Sequence, residues 1–116
     1  MGLTLWSLNR LAAGIDDPIQ VGVLSDDVLR KLGWRLWFVY LSRESAVHIK
    51  KRHPDITSYE ATRIPEFIEK GLIIHQIERN NHVTISFFCG ITEKRYTVIL
   101  KRTKDGNEVY VVSLRR

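Results

Sequence analysis

From residue 72 to the end, the sequence alternates apolar and polar residues in short segments, and this pattern limits the fold more than any other feature. A period of two is typical of strands that bury one face. Turn-forming residues separate the segments at the Asn80-Asn81 pair, at 90–94 and at 104–107. Connections this short favour antiparallel neighbours. The pattern therefore predicts four strands in an antiparallel sheet, at 72–79, 82–90, 95–103 and 108–115.

The residues before this sheet carry the signals of helix ends. Serine or threonine caps, with glycine or proline after the last turn, predict helices at 26–32, 43–53 and 57–70, preceded by a first helix near 3–12. Pro65 interrupts the last of these and predicts a kink or a restart. Two further strands are predicted at 19–24 and 34–41. Helices followed by a sheet make an α+β fold: N-terminal helices and then a four-stranded antiparallel sheet, in a single domain at 1–116.

The segment 34–41 contains a run of aromatic residues. Trp34, Trp37, Phe38 and Tyr40 lie among apolar neighbours, which favours a buried strand. Stacking of these rings on nucleic-acid bases is the less favoured alternative.

Size and cysteine content exclude several classes of protein. A chain of 116 residues suits one domain with a real core. Cys89 is the single cysteine, so no internal disulfide forms, and no Cys/His cluster has zinc spacing. No apolar run approaches the roughly 20 residues of a membrane span, and residues 1–8 lack the basic start of a signal peptide. We therefore expect a cytoplasmic protein with no membrane partner, no metal and no cofactor.

Charge is distributed unevenly along the chain. The net charge of +5 fits plain solubility by itself. However, Arg10 is the one base before residue 30, where four aspartates also lie. The later basic residues cluster at 48–53, 94–95, 101–104 and 115–116. A polyanionic partner would need such an asymmetric surface.

Alternation along the strands predicts one polar face of the sheet. In the last strand it places Val109 and Val111 on the same face as Ser113, and Tyr110 on the opposite face. An ordinary solvated sheet face is the alternative to a functional one. The side chains predicted to gather on the face away from the helices are Thr84, Ser86, Arg95, Thr97, Lys101, Ser113 and Arg115.

A second basic group lies in the predicted helix at 43–53. His48, Lys51 and Arg52 are neighbours on one helical side, because residues three and four apart are adjacent. His53 lies about 140° around the helix from His48, so no two-histidine metal site is expected. A histidine beside cations suits proton transfer at a phosphate. The alternative is a surface histidine with no function.

Three segments bear on a family resemblance: 39–42 (VYLS), 48–57 (HIKKRHPDIT) and 64–71 (IPEFIEKG). Together they resemble the phage-type nucleases of the Barnase–EndoU–colicin–RelE superfamily. The strand segments 95–101 and 109–114 continue the resemblance, which covers about residues 19–114.

The resemblance implies helices followed by a four-stranded antiparallel sheet. It also implies a metal-independent endoribonuclease, of a kind found as toxins or in mobile elements. By position it implies His48 or His53 as the helix histidine, Arg95 and Lys101 as the basic strand residues, and Ser113 as the C-terminal hydroxyl.

We therefore expect an enzyme in which a histidine takes the proton of an RNA 2′-OH, which attacks the adjacent phosphorus and leaves DNA uncut. RNA is the expected partner, together with an acidic immunity or antitoxin protein. A non-catalytic RNA-binding module and a phage or plasmid structural or accessory protein are the alternatives. The expected catalytic residues are His48, His53, Lys101 and Ser113, and the expected phosphate-binding residues are Lys51, Arg52, Arg95 and Arg115.

Overall fold

The computed structural model describes residues 3–35, 38–77, 81–103 and 108–116, with the backbone alone for 75–77. In these ranges the chain forms a single α+β domain. Its helices are α1 (Leu5–Ala12), α2 (Asp26–Leu32), α3 (Arg43–Arg52), α4 (Ser58–Ala61) and α5 (Ile64–Lys70). Its strands are β1 (Ile19–Val23), β2 (Phe38–Leu41), β3 (Leu72–Ile77), β4 (His82–Cys89), β5 (Lys94–Arg102) and β6 (Val109–Arg115). Trp37, Asn80 and the turn predicted at 104–107 lie outside the described residues.

Side-chain caps begin four of these helices. Thr4, Ser25, Ser42 and Thr57 each accept a hydrogen bond from the backbone N–H three residues further along, a contact worth about 1 kcal/mol. The predicted helix at 57–70 is two helices, because Pro65 lies in the first turn of α5 and starts it anew. None of the helices in the described ranges is long and apolar enough to span a membrane.

The strands form one mixed sheet in the order β1-β2-β6-β5-β4-β3. Strands β3 to β6 pair antiparallel in sequence order, as predicted. The prediction of four strands, all antiparallel, is wrong in two respects: β1 and β2 join the sheet, and β2 runs parallel to β6. Since β6 ends the antiparallel series, its outer edge would leave backbone N–H and C=O groups unpaired, and β2 pairs with the start of that edge, at Val109 and Tyr110.

The helices cover one face of the sheet, and the core lies between the two layers. Phe67 of α5 stacks on Tyr96 of β5 with ring centroids 4.4 Å apart. Ile49 of α3 is buried where that helix contacts β6. In β5, Val98 and Leu100 are fully buried beside Tyr96, which confirms the predicted apolar face of this strand.

A β-bulge in β6 changes which of its side chains face the core. The register between β5 and β6 shifts by one residue and leaves Val112 without a partner in the ladder. As a result, Val109 and Val111 are buried, and Tyr110 shares the opposite face with Ser113. The sequence therefore predicted the wrong face for Val109, Tyr110 and Val111, which precede the bulge, and the correct face for Ser113, which follows it.

Candidate nucleic-acid interface

The face of the sheet opposite the helices, which we name the open face, presents basic, hydroxyl and aromatic side chains. Arg95, Lys101 and Arg115 are exposed on it. Ser113, predicted to lie with them, is half-buried there beside Ile99. The members of the open face on these four strands are Phe38 and Tyr40 of β2, His82, Thr84, Ser86 and Phe88 of β4, Arg95, Thr97, Ile99 and Lys101 of β5, and Tyr110, Ser113 and Arg115 of β6.

Four of these side chains form one line across the strands, which we name the cross-strand row. His82 of β4 is opposite Lys101 of β5, and Lys101 is opposite Tyr110 of β6. Tyr110 is in turn opposite Tyr40 of β2. Directly opposed residues on adjacent strands are about 4.5–5.5 Å apart at Cα and point to the same face. The row therefore places an ammonium group between an imidazole and a pair of phenol rings.

Hydroxyl groups line the open face beside this row. Thr84 of β4 and Ser113 of β6 lie on either side of Ile99. Further along, Thr97 of β5 is opposite Arg115 of β6. The exposed cations are thus interleaved with groups that can donate hydrogen bonds to phosphate oxygens.

Arg95 is held at the far end of the open face. Its guanidinium donates a hydrogen bond of 2.9 Å to Ser86 Oγ and lies 6.0 Å from the centre of the Phe88 ring. The arginine is exposed while Ser86 beneath it is buried. A cation fixed above a ring in this way is preorganised to receive an anion.

His82 is a site residue that the sequence-based assignment of roles missed. It is half-buried, and its pKa is lowered, first by burial and then by the charge of Lys101. At neutral pH the imidazole is therefore neutral and able to accept a proton. The alternation of residues in the sequence already placed His82 on the same face as Thr84. Pairing the predicted strands 82–90 and 95–103 as a hairpin would have placed His82 opposite Lys101.

The two aromatic residues of β2 lie on the open face of the sheet. Val39 is buried, which supports the predicted strand, but Phe38 is exposed and Tyr40 is half-buried on the open face. The rings of Tyr40 and Tyr110 have centroids 6.0 Å apart and are tilted by 43°. The Tyr110 hydroxyl donates a 3.0 Å hydrogen bond to Glu108, and burial, together with that carboxylate, raises the pKa of Tyr110. These rings are placed to stack on a ligand, an alternative that the sequence alone disfavoured.

The basic group on α3 lies in the other layer. His48, Lys51 and Arg52 are exposed, while Ile49 of the same helix is buried against the core face of the sheet. His53 caps the helix end and is half-buried. The structure thus places Arg95, Lys101, Ser113 and Arg115 on one face of the sheet, with Arg95 at the opposite end from Lys101, and it does not bring His48, Lys51 or Arg52 to the same face. The sequence could not show this, because helical periodicity does not state which face of a sheet the helix covers.

Glu60 is a buried carboxylate that the sequence identified only as part of a capping box. It accepts hydrogen bonds from the Tyr96 hydroxyl, from Thr57 N at 3.0 Å and from Arg116 at 3.2 Å. Burial alone would raise the pKa of Glu60, but the hydrogen bonds from Tyr96 and Thr57 and the charge of Arg116 outweigh it, and the pKa is lowered. Because its oxygens are occupied on the core side of the sheet, we assign Glu60 a stabilising role.

Comparison with known proteins identified no relative of this chain. No protein-family model matches the chain. No curated protein and no solved structure gives a significant match. The resemblance to phage-type nucleases therefore stays a prediction, and the function is argued from the side chains of the chain itself.

The open face suits a polyanionic ligand with flat rings. Cations on a sheet surface attract a phosphate backbone, and exposed aromatic rings stack on unpaired bases. In the described ranges, no three His, Cys, Asp or Glu side chains lie close enough together to hold a metal ion. Among the side chains that the structure describes here, the groups available for chemistry are the ammonium and guanidinium groups, the hydroxyls, the His82 imidazole and the Glu108 carboxylate that accepts a hydrogen bond from Tyr110.

Proposed function

We propose that this protein is an endoribonuclease that cleaves RNA on the open face without a metal ion. The observation that carries the proposal is the placement of Arg95, Lys101 and Arg115 along one sheet face that the helices leave uncovered. Ser113 and His82 on the same face supply a hydrogen-bond donor and a proton acceptor.

The reaction follows from the chemistry of the phosphodiester. The 2′-oxygen of one ribose attacks the adjacent phosphorus, and the bond to the 5′-oxygen of the next nucleotide breaks. Lys101 stabilises the added negative charge of the transition state, and Ser113 donates a hydrogen bond to a phosphate oxygen. Arg95 lies six residues from Lys101 along β5, about 20 Å away at Cα, and binds the phosphate of another nucleotide. DNA has no 2′-OH and cannot react in this way.

The proton acceptor has to be a histidine within reach of that phosphate. The resemblance implies His48 or His53, but α3 lies in the layer opposite Lys101 and Ser113. The acceptor on the open face is argued separately below.

Cleavage in the presence of EDTA tests the proposal. The purified protein is incubated with a single-stranded RNA and with DNA of the same sequence, both in excess EDTA. We expect RNA fragments ending in a 2′,3′-cyclic phosphate and no cleavage of DNA. Cleavage that requires added metal, or cleavage of both nucleic acids, contradicts the proposal.

A matched pair of lysine variants locates the reaction. Lys101→Gln removes a cation from the open face and is expected to slow cleavage about 100-fold. Lys31→Gln removes the same charge from the exposed surface of α2 and is expected to leave the rate unchanged. Equal loss in both variants would show that overall charge matters rather than the open face.

RNA binding without cleavage is the second candidate function. Phe88 beneath Arg95 and the pair of Tyr40 and Tyr110 provide rings and charge for binding, and they need no proton transfer. Salt-sensitive RNA binding with no turnover selects this function. In either case, an acidic immunity or antitoxin protein is the partner that we propose for the same charged face.

A further inference from the structure

We propose that the cross-strand row is a cleavage subsite for one nucleotide of single-stranded RNA, with the tyrosines on the base, Lys101 on the phosphate and His82 as the catalytic base. This inference rests on the proposed ribonuclease function and deepens it. It assigns the substrate class and the residue that accepts the proton.

The spacing of the cross-strand row fits one nucleotide. Lys101 is flanked directly by His82 on one side and by Tyr110 on the other. Two steps across an antiparallel ladder separate His82 from Tyr110 by about 10 Å at Cα. Along the row the order is ring, cation and proton acceptor. In RNA the 2′-OH lies next to the 3′-phosphate, so a proton acceptor beside Lys101 is placed for the 2′-OH of a nucleotide whose phosphate binds that lysine.

Tyr40 and Tyr110 provide the surface on which a base stacks. Their ring centroids are 6.0 Å apart and the rings are tilted by 43°, so neither ring covers the other face to face. Both are half-buried, so the strands fix them while part of each ring faces outward. A base inside a duplex is covered by its neighbours and by its pairing partner, whereas a base in a single strand is free to stack on a protein ring. The row therefore favours single-stranded RNA.

His82 is the proton acceptor of the proposed subsite. It is the histidine whose ladder partner is a cation of the open face, and burial and that cation lower its pKa, so that it is neutral before the reaction. His82 takes the 2′-OH proton while the 2′-oxygen forms a bond to phosphorus. The bond from phosphorus to the 5′-oxygen breaks, and that oxygen takes a proton from water. The products are a 2′,3′-cyclic phosphate and a 5′-OH, and the imidazolium returns its proton to solvent.

A pair of histidine variants tests the assignment of the base. Single-turnover cleavage of single-stranded RNA is measured for the wild type, His82→Asn and His48→Asn, with thermal melts to establish folding. We expect His82→Asn to lose about 100-fold or more in rate and to bind a 2′-O-methyl RNA as tightly as the wild type. His82→Gln provides a second variant if the first does not fold, and it is expected to show the same loss.

The possible results distinguish failure of the His82 assignment from failure of the proposed ribonuclease function. Full activity in both His82 variants, with activity lost in His48→Asn, overturns the subsite and leaves the ribonuclease intact. A wild-type protein that binds RNA but never cleaves it overturns the proposed function and, with it, the role of His82.

The tyrosines are tested by binding alone, so this arm does not depend on cleavage. Tyr40→Leu is expected to weaken binding of single-stranded 2′-O-methyl RNA about tenfold, with little effect on duplex RNA. Leucine keeps the apolar contacts and removes the phenol ring. Equal weakening for single strands and duplexes, or no change, contradicts stacking in the cross-strand row.

Discussion

Glu60 shows how one side chain joins several parts of the fold. Its hydrogen bonds reach back to Thr57, across to Tyr96 in β5 and on to Arg116 after β6. Only the first of these partners is close in sequence, and that one was predictable from the capping box. The others depend on how the chain folds back, so the pattern of residues could not show them. The same holds for His82, whose neighbour Lys101 comes from the next strand.

Replacing Glu60 is expected to lower stability in a pH-dependent way. A carboxyl whose pKa is lowered in the folded state stabilises the fold above its ordinary value of 4.5, and this contribution is lost as the pH falls through the folded value. At neutral pH, Glu60→Gln should cost about 2 kcal/mol in the free energy of unfolding. Urea denaturation at neutral pH and at about pH 3 measures this, and the difference between variant and wild type should shrink in acid.

Glu69→Gln is the control for this change. Glu69 is exposed on α5, so its loss should alter stability by less than about 0.5 kcal/mol. A Glu60→Gln protein as stable as the control at neutral pH would show that the buried contacts contribute nothing net.

At the scale of elements, local signals predicted the helices and strands more fully than their arrangement. Caps at Ser25, Ser42 and Thr57 act within one turn, so the sequence displays them directly. The parallel pairing of β2 with β6 and the bulge at Val112 depend on contacts between distant segments. Alternation therefore placed Arg95 and Lys101 correctly and placed Tyr110 on the wrong face.

Gly71 joins α5 to β3 at a close approach between the two layers. A Cβ at this position would lie 2.3 Å from Ile85 Cγ2 and 2.4 Å from the backbone oxygen of Phe67. Gly71→Ala should therefore cost about 1–3 kcal/mol through overpacking. Gly90→Ala is the matched control, since nothing lies within 4 Å of a Cβ there. Thermal denaturation compares the two, and equal melting temperatures would contradict the close approach.

At the scale of the whole molecule, the sheet divides the chain into two chemically different surfaces. One face packs on the helices through apolar residues, and the other carries exposed cations and rings. The sequence indicated basic residues in two places, and the fold assigns the group on α3 to the opposite layer from Arg95 and Lys101. Helix α3 packs on the core face of the sheet through the buried Ile49. Its basic side chains therefore cannot reach a site on the open face.

The salt dependence of RNA binding should report the cations of the open face. Each phosphate contact with single-stranded RNA adds about −0.7 to the slope of log K against log salt. With Arg95, Lys101 and Arg115 each engaged, the slope should be near −2, that is, about three times this increment. Lys101→Gln should reduce its magnitude by about 0.7, and Lys31→Gln should not change it. Fluorescence anisotropy at several salt concentrations measures both, and a slope unaffected by Lys101→Gln would contradict contact at this lysine.

The central claim is that RNA lies on the open face of the sheet, and NMR titration with a 2′-O-methyl single-stranded RNA tests it most directly. Because this RNA cannot be cleaved, the measurement is independent of catalysis. We predict the largest amide shifts at His82, Lys101 and Tyr110 and along the strands that carry them. Shifts confined to α3, around His48 and Arg52, would contradict the account and place the RNA on the helical layer.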